Sequence, residues 1–245
     1  MFNVGAVTDT GRVRLKNQDN FVSLPEIGLF VVADGMGGHL GGETASQMTC
    51  STVTEQVKTA LKNDTSVSTE KILVDALEFA NQSVHQLSNQ NPQLHGMGTT
   101  VTSLLFFQDH LKIAQVGDSR CYLLRNHNFW QLSRDHSLVE EKFRAGLIER
   151  DEMRYDTQKN VITRSVGYEA KIAIETFGIS TQSGDIYLIC SDGLSGQLED
   201  VEIFQIIEAA VRTKTSPQDI AKKLVEEANT KGGDDNVTSV VIEVL

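Results

Sequence analysis

The chain has 245 residues, 40% of them hydrophobic, with 22 Lys or Arg against 33 Asp or Glu and a formal net charge of −11. A chain of this length buries roughly three quarters of its unfolded surface. With only 3 prolines and no repeat, charge block or Ser-rich stretch to mark a linker, one domain over residues 1–245 is expected. The acidic balance excludes nucleic acid and anionic membrane as main partners, since neither attracts a negative surface.

Alternating Phe2, Val4 and Ala6 predict a first strand at 2–8, and short strands are predicted at 20–24 and 28–33. The first residues carry neither a basic leader nor a long apolar core, and no apolar run approaches the ~20 residues of a membrane-spanning helix. Helical spacing of apolar positions then predicts helices over 43–61 and 68–87, the second stopped by Asn91 and Pro92. Four strands follow, near 99–107, 111–117, 120–125 and 129–132, joined by polar turns as a meander, with Trp130 read as core packing. Residues 137–160 are more charged, start with a capping pair at Ser137 and Glu140, and read as a small helical flap over the sheet edge.

Beyond the flap, strands are predicted at 171–178 and 185–190, helices at 199–212 and 217–229, and a last apolar run from Val237 to Val244. Ser216 fits the N-cap of the final helix, Pro217 its first turn and Gly232–Gly233 its stop. Strands in hairpins and helices in two pairs fit an α+β fold: a four-layer α-β-β-α sandwich of two mostly antiparallel sheets flanked by helix pairs. Cys50, Cys121 and Cys190 are odd in number, widely spaced and set in apolar segments, so reduced core thiols and a cytoplasmic location are expected.

Four carboxylates sit at strand ends. Phe30-Val31-Val32-Ala33 runs into Asp34 and then into the glycine-rich, histidine-bearing turn Gly35-Met36-Gly37-Gly38-His39. Asp118 follows one apolar run and Asp192 another, while Asp235 precedes the last. If these strands lie side by side, the carboxylates meet at one rim. Two carboxylates about 4 Å apart repel by ~4 kcal/mol at an effective dielectric of 20, so such a cluster takes up protons or binds a cation. Oxygen donors without cysteine, and with one loop histidine at most, point to a hard ion such as magnesium or manganese. No dinucleotide fingerprint or Walker sequence is present.

Arg14-Leu15-Lys16-Asn17-Gln18-Asp19, Asp34-Gly35-Met36-Gly37-Gly38-His39, Gly96-Met97-Gly98-Thr99-Thr100, Gly117-Asp118-Ser119-Arg120, Ser191-Asp192-Gly193 and Gly233-Asp234-Asp235-Asn236 occur in this order. Together they closely resemble the PPM family, the metal-dependent serine/threonine protein phosphatases of type 2C, in its compact bacterial form. The resemblance implies the α-β-β-α sandwich with two or three divalent ions, Mg2+ or Mn2+, at one end of the sheets. It implies that Asp34 bridges two ions, that Asp192 and Asp235 complete one, and that the Gly35 carbonyl holds the other. Asp19 then orders a metal-bound water, and Asp118 with Asp192 forms a weaker third site. Arg14 corresponds to the phosphate-binding arginine and His39 to the general acid, with a metal-bridging hydroxide attacking the phosphorus of phosphoserine or phosphothreonine.

Arg12 and Lys16 read as solvated neighbours, His136 as orienting the start of the flap, and Thr99 and Thr100 as opening a strand. Phosphorylated proteins are the implied partners, with a serine/threonine kinase acting on the same substrates and the protein itself a monomer in signal transduction. Two rival functions share these residues: a catalytically silent pseudophosphatase that binds phosphoproteins, and a hydrolase of small phosphate esters or nucleotides.

Overall fold

The computed structural model describes residues 1–63 and 68–245, without the side chains of residues 38 and 39. In chain order its elements are β1 (Phe2–Asp9), β2 (Asp19–Leu24), β3 (Leu29–Met36), α1 (Gly38–Asn63), α2 (Thr69–Gln90), β4 (Gly98–Thr99), β5 (Val101–Phe107), β6 (His110–Val116), β7 (Arg120–Arg125) and β8 (Asn128–Gln131). There follow α3 (Leu138–Arg144), β9 (Glu175–Ser180), β10 (Ile186–Cys190), α4 (Asp192–Ser195), α5 (Asp200–Arg212), α6 (Pro217–Thr230) and β11 (Val237–Val244). One sheet runs β1-β11-β10-β7-β8 and the other β2-β3-β5-β6-β9, with β4 paired to β3. Every pairing is antiparallel. The four-layer α+β sandwich expected from the sequence is the fold.

Side-chain parity builds the layers. In β3, Leu29, Val31 and Ala33 face α1 and α2 and join a core with Val53, Leu73 and Leu77. Phe30 and Val32 face the other way, between the sheets, against Leu123, Tyr187, Ile189 and Val240. On the far side, Leu188 and Val241 pack on Ile203, Ile207 and Leu224 of α5 and α6. Strands covered on both faces are largely apolar along their length, which is why the central runs read as continuous rather than alternating. Each fully buried aliphatic side chain contributes about 1.5–3 kcal/mol.

Several expectations need correction. The four-strand meander is split between sheets: β5 and β6 belong to one, β7 and β8 to the other, and the chain crosses between them at residues 117–119. Sequence spacing alone cannot distinguish a hairpin turn from a sheet-to-sheet crossing of similar length. Strand β3 does not stop before Asp34 but continues to Met36, paired with β2 through Asp34 and with β4 beyond it. Helix α1 begins at Gly38 instead of residue 43, so Gly41 and Gly42 lie within it. Glycine costs about 1 kcal/mol in a helix interior. It is needed here because a Cβ on Gly41 would come 2.9 Å from the Met97 Cβ, and one on Gly42 would lie 2.7 Å from the Gly35 carbonyl.

The strand expected at 171–178 forms at Glu175–Ser180, and Trp130 is 46% exposed on the edge strand β8 instead of buried. Of the flap segment, only Leu138–Arg144 is α-helical, capped by Ser137 Oγ accepting from the Glu140 N–H at 3.3 Å, with one 3-10 turn at Met153–Tyr155. All three cysteines are buried and unpaired. No helix among the described residues is long and apolar enough to cross a membrane.

Candidate active site

Parity carries the strands' inner faces into the site. Asp34 shares the inter-sheet face with Phe30 and Val32, and its register partner across the β2–β3 ladder is Asp19. From the opposite sheet, Ser191 follows Tyr187 and Ile189 on the inner face, and Thr238 precedes Val240 and Ile242. Asp19 closes the gap between sheets: its Oδ2 accepts from Ser191 Oγ at 2.7 Å and from Thr238 Oγ1 at 2.6 Å. Thr238 Oγ1 in turn accepts from Thr8 Oγ1 at 2.8 Å, and Thr8 Oγ1 from Asn17 Nδ2 at 2.8 Å. A relay of hydroxyls therefore fixes one oxygen of Asp19. Its other oxygen, Oδ1, is buried with no hydrogen-bond partner among the described residues.

Asp34 is held by its backbone. Its N–H donates to Thr100 Oγ1 at 3.0 Å, and its carbonyl accepts from Thr99 Oγ1 at 2.7 Å and from the Thr100 N–H at 2.8 Å. Instead of opening one strand, Thr99 ends β4 and Thr100 sits in the gap before β5, and both fix the carboxylate's root, a role that sequence reasoning missed. Gly35 is required by crowding: a Cβ there would overlap the Gly42 carbonyl and lie 2.7 Å from the Gln18 carbonyl. Helix packing thus demands a glycine here independently of any ion at its carbonyl.

Asp118 stands at the crossing between β6 and β7 and is 9% exposed. Asp192 opens α4 just after β10. Asp235 lies before β11, where its Oδ2 sits 2.6 Å from Arg14 Nη2, with side chains 37% and 54% exposed. The Arg14 loop is tied down by Asn236, which the sequence showed only as part of a motif, without this role. Asn236 Nδ2 donates to the Thr10 and Lys16 carbonyls at 2.9 and 2.8 Å, and its Oδ1 accepts from the Gln18 N–H at 2.8 Å. Arg12 and Lys16 expose their side chains beside it. His39 is the exception: its side chain lies outside the described residues.

The carboxylates act on one another. Burial, then the charges of Asp19, Asp192 and Asp118, push the Asp34 carboxyl well above the ordinary range, and the Asp192 side chain is within its hydrogen-bonding reach. Burial and Asp192 raise Asp118. Burial and Asp235 raise Asp192. Asp19 is pushed up to about 7, mainly by burial and against the two hydroxyl bonds. Dense surroundings act although Asp34 and Asp192 each keep some surface open to solvent. Among the described residues no three such side chains form a finished ligand set; Arg14 holds Asp235, and Asp34 and Asp192 are close enough to share a proton. The donor chemistry nevertheless fits a hard divalent cation. Five carboxylates converge from two sheets, all donors are oxygen, and the buried Oδ1 atoms of Asp19 and Asp192 have no partner.

A cleft of about 430 Å³ opens beside Asp118 and Asp192, walled by Met153, Arg154 and Tyr155 on one side and Gly196 and Val201 on the other. Arg154 Nη2 spans it to the Gly196 carbonyl at 2.8 Å.

Comparison with known proteins agrees with this fold. The family model described as "Protein phosphatase 2C" matches residues 8–237. A "Serine/threonine phosphatase stp" from Listeria monocytogenes is 36% identical over 239 residues, covering 96% of this chain and 93% of the relative. The crystal structure of the Mycobacterium tuberculosis serine/threonine phosphatase PstP/Ppp superposes with a TM-score of 0.90 at 32% identity, covering 99% of this chain and 98% of that one. A PstP catalytic domain in complex with 2 manganese ions gives 0.88 at 31% identity, covering 100% and 98%.

Proposed function

Since the chain belongs to the protein phosphatase 2C family, and is a metal-dependent serine/threonine protein phosphatase acting on phosphoproteins, we propose that Asp34, Gly35, Asp118, Asp192 and Asp235 hold two or three Mg2+ or Mn2+ ions. The observation that carries the assignment is the meeting of carboxylates from both sheets around Asp34, two of them with an unpartnered buried oxygen. When bound, such ions bring solvent to a neutral-range pKa and offset charge on the phosphoryl group.

The protein's own groups do the rest. Asp34 is the shared carboxylate at the centre, kept rigid by Thr99 and Thr100. Asp19, anchored by Ser191 and Thr238, offers its free Oδ1 to a solvent molecule. Arg14 takes two phosphoryl oxygens on its planar fork, exchanging Asp235 for the substrate dianion. That exchange is cheap, because an exposed ion pair is worth about 0–1 kcal/mol. His39 donates the proton to the departing serine or threonine oxygen, a contribution on the order of 10²- to 10⁴-fold.

We assign residues 1–245 to one catalytic domain, in which residues 137–160 wall the cleft beside Asp192 and select among substrates. The protein acts as a monomer in cytoplasmic signal transduction, opposing a serine/threonine kinase on the same substrates. Hydrolysis of p-nitrophenyl phosphate with and without Mn2+, in wild type and Asp34→Asn, tests the assignment. Activity is expected for wild type with metal alone, and equal rates in all four conditions would exclude it. Turnover of a phosphothreonine peptide against nucleotides at equal metal concentration tests the substrate class; preference for nucleotides would overturn it.

A further inference from the structure

Asp118, like Asp235, belongs to no strand or helix. It sits where the chain leaves one sheet for the other, between β6 and β7. A single residue at such a crossing has no ladder to hold it, yet both of its neighbours are gripped by buried side chains.

Gly117 is bound at two points by one residue. Its N–H donates to His136 Nδ1 at 3.1 Å, and its carbonyl accepts from the His136 N–H at 3.0 Å. Gly117 has φ +102, and a Cβ there would lie 2.6 Å from the Thr100 side chain, so the turn is closed against β5 as well. His136 is itself immobilised: it is 3% exposed, and its Nε2 lies 3.0 Å from Glu175 Oε2. Because Nδ1 accepts from a backbone N–H, the ring proton belongs on Nε2, where Glu175 receives it.

On the other side, Ser119 Oγ pairs with Thr100 Oγ1 at 2.7 Å, and the Ser119 carbonyl accepts from Thr102 Oγ1 at 2.7 Å and Gln115 Nε2 at 3.1 Å. Thr100 Oγ1 also accepts from the Asp34 N–H. Ser119 therefore ties the root of Asp118 to the root of Asp34 through a single threonine hydroxyl.

We propose that His136 and Ser119 are positioning residues that grip the chain on either side of Asp118, hold its carboxylate towards Asp192, and so set the affinity of the cation these two carboxylates share. Neither residue is a ligand, and the effect falls on one ion. The inference rests on the reading that Asp118 and Asp192 bind a cation. Partners one step behind a ligand are worth about 10- to 100-fold in metal affinity.

The test is Mn2+ binding measured by calorimetry on the full chain in wild type, Asp118→Asn, His136→Leu, His136→Asn and Ser119→Ala, with folding checked by circular dichroism. Asp118→Asn should remove the weakest Mn2+ site. His136→Leu should weaken that same site about 10-fold or more while leaving the tighter sites within about twofold. His136→Asn, whose Oδ1 can replace the Nδ1 acceptor, should recover most of the loss. Ser119→Ala should weaken the same site, and it decides the matter if His136→Leu does not fold. If Asp118→Asn removes a site but the folded His136 and Ser119 variants bind Mn2+ as wild type does, or weaken every site alike, the positioning role is overturned. If Asp118→Asn itself changes nothing, the underlying cation reading fails and the proposal with it.

Discussion

Arg14 and Asp235, 221 positions apart in the chain, form a solvent-open ion pair at 2.6 Å on the rim of the carboxylate cluster. The pair joins the group assigned to substrate phosphate with a group assigned to the cation, so each ligand competes with the pair for its own half. Arg14→Ala is expected to raise KM for a phosphothreonine peptide by about 10-fold or more, as a charge-assisted bidentate contact is lost. The same variant should bind Mn2+ as tightly as wild type or up to about 5-fold more tightly, since at most ~1 kcal/mol of competition is removed. Steady-state kinetics and a metal titration on one preparation check both signs, and weaker Mn2+ binding would contradict the pairing.

Asn236 never meets substrate in this arrangement, yet its amide staples residues 10 to 18 against the last strand through three hydrogen bonds. Asn236→Ala leaves two backbone carbonyls and one N–H without those partners. A loss of about 2–4 kcal/mol in urea unfolding is expected, at roughly 1 kcal/mol or more for each orphaned group. The kinetic effect should resemble that of Arg14→Ala, because the Arg14 loop loses its anchor. An unchanged denaturation midpoint would mean that the loop is held by other contacts.

Metal removal should show directly in thermal unfolding. A ligand that binds only the folded state adds about 2.7 kcal/mol at 100 times its Kd, and a chain of this size gains about 2–4 °C per kcal/mol. Mn2+ added to chelator-treated wild type should therefore raise Tm by roughly 5–10 °C per well-filled site. Asp34→Asn should show a small rise or none. A full metal-induced shift in that variant would place the ions elsewhere.

His136 provides a pH prediction. Burial holds its pKa below the ordinary 6.5, with Arg164 and Arg134 in the same direction and Glu175 opposing. Protonating Nδ1 would also set it against the Gly117 N–H that it now accepts from. A histidine whose folded pKa lies below its unfolded one adds stability in full above about pH 6.5 and loses it as pH falls. The stability difference between wild type and His136→Asn should accordingly shrink between pH 7.5 and pH 5. Ring nitrogen chemical shifts should report a neutral, Nε2-protonated tautomer below pH 6.5. A His136 that titrates above 6.5 would refute this.

Much of the site was readable in one dimension because its chemistry is local. Asp34 ends an all-apolar run, Asp192 another, and a carboxylate at the mouth of a doubly covered strand has few uses apart from charge. Helix caps were equally legible: Ser216 Oγ accepts from the Asp219 N–H at 3.2 Å, and Pro217 occupies the first turn as expected. The residues whose roles escaped notice are neutral ones. Ser191, Thr238, Thr99, Thr100 and Asn236 bind backbone or carboxylate across more than 40 positions of sequence, and a serine or threonine in a strand looks the same whether or not it has such a partner. The only available signal was position: Ser191 and Asn236 directly adjoin an aspartate, and Thr99, Thr100 and Thr238 lie at or beside a strand end.

Composition, periodicity and punctuation determined the number and type of layers, because hydrophobic burial and capping act over a few neighbouring residues. Which carboxylates face one another was settled only in three dimensions. The strands beside Asp118, Asp192 and Asp235 do lie next to one another, as β7, β10 and β11, but β3 belongs to the opposite sheet, so Asp34 meets Asp192 across the gap. The crossing at residues 117–119 and the alternation of side chains decide that meeting. Both depend on contacts between distant segments, whose packing energy no local stretch of sequence contains.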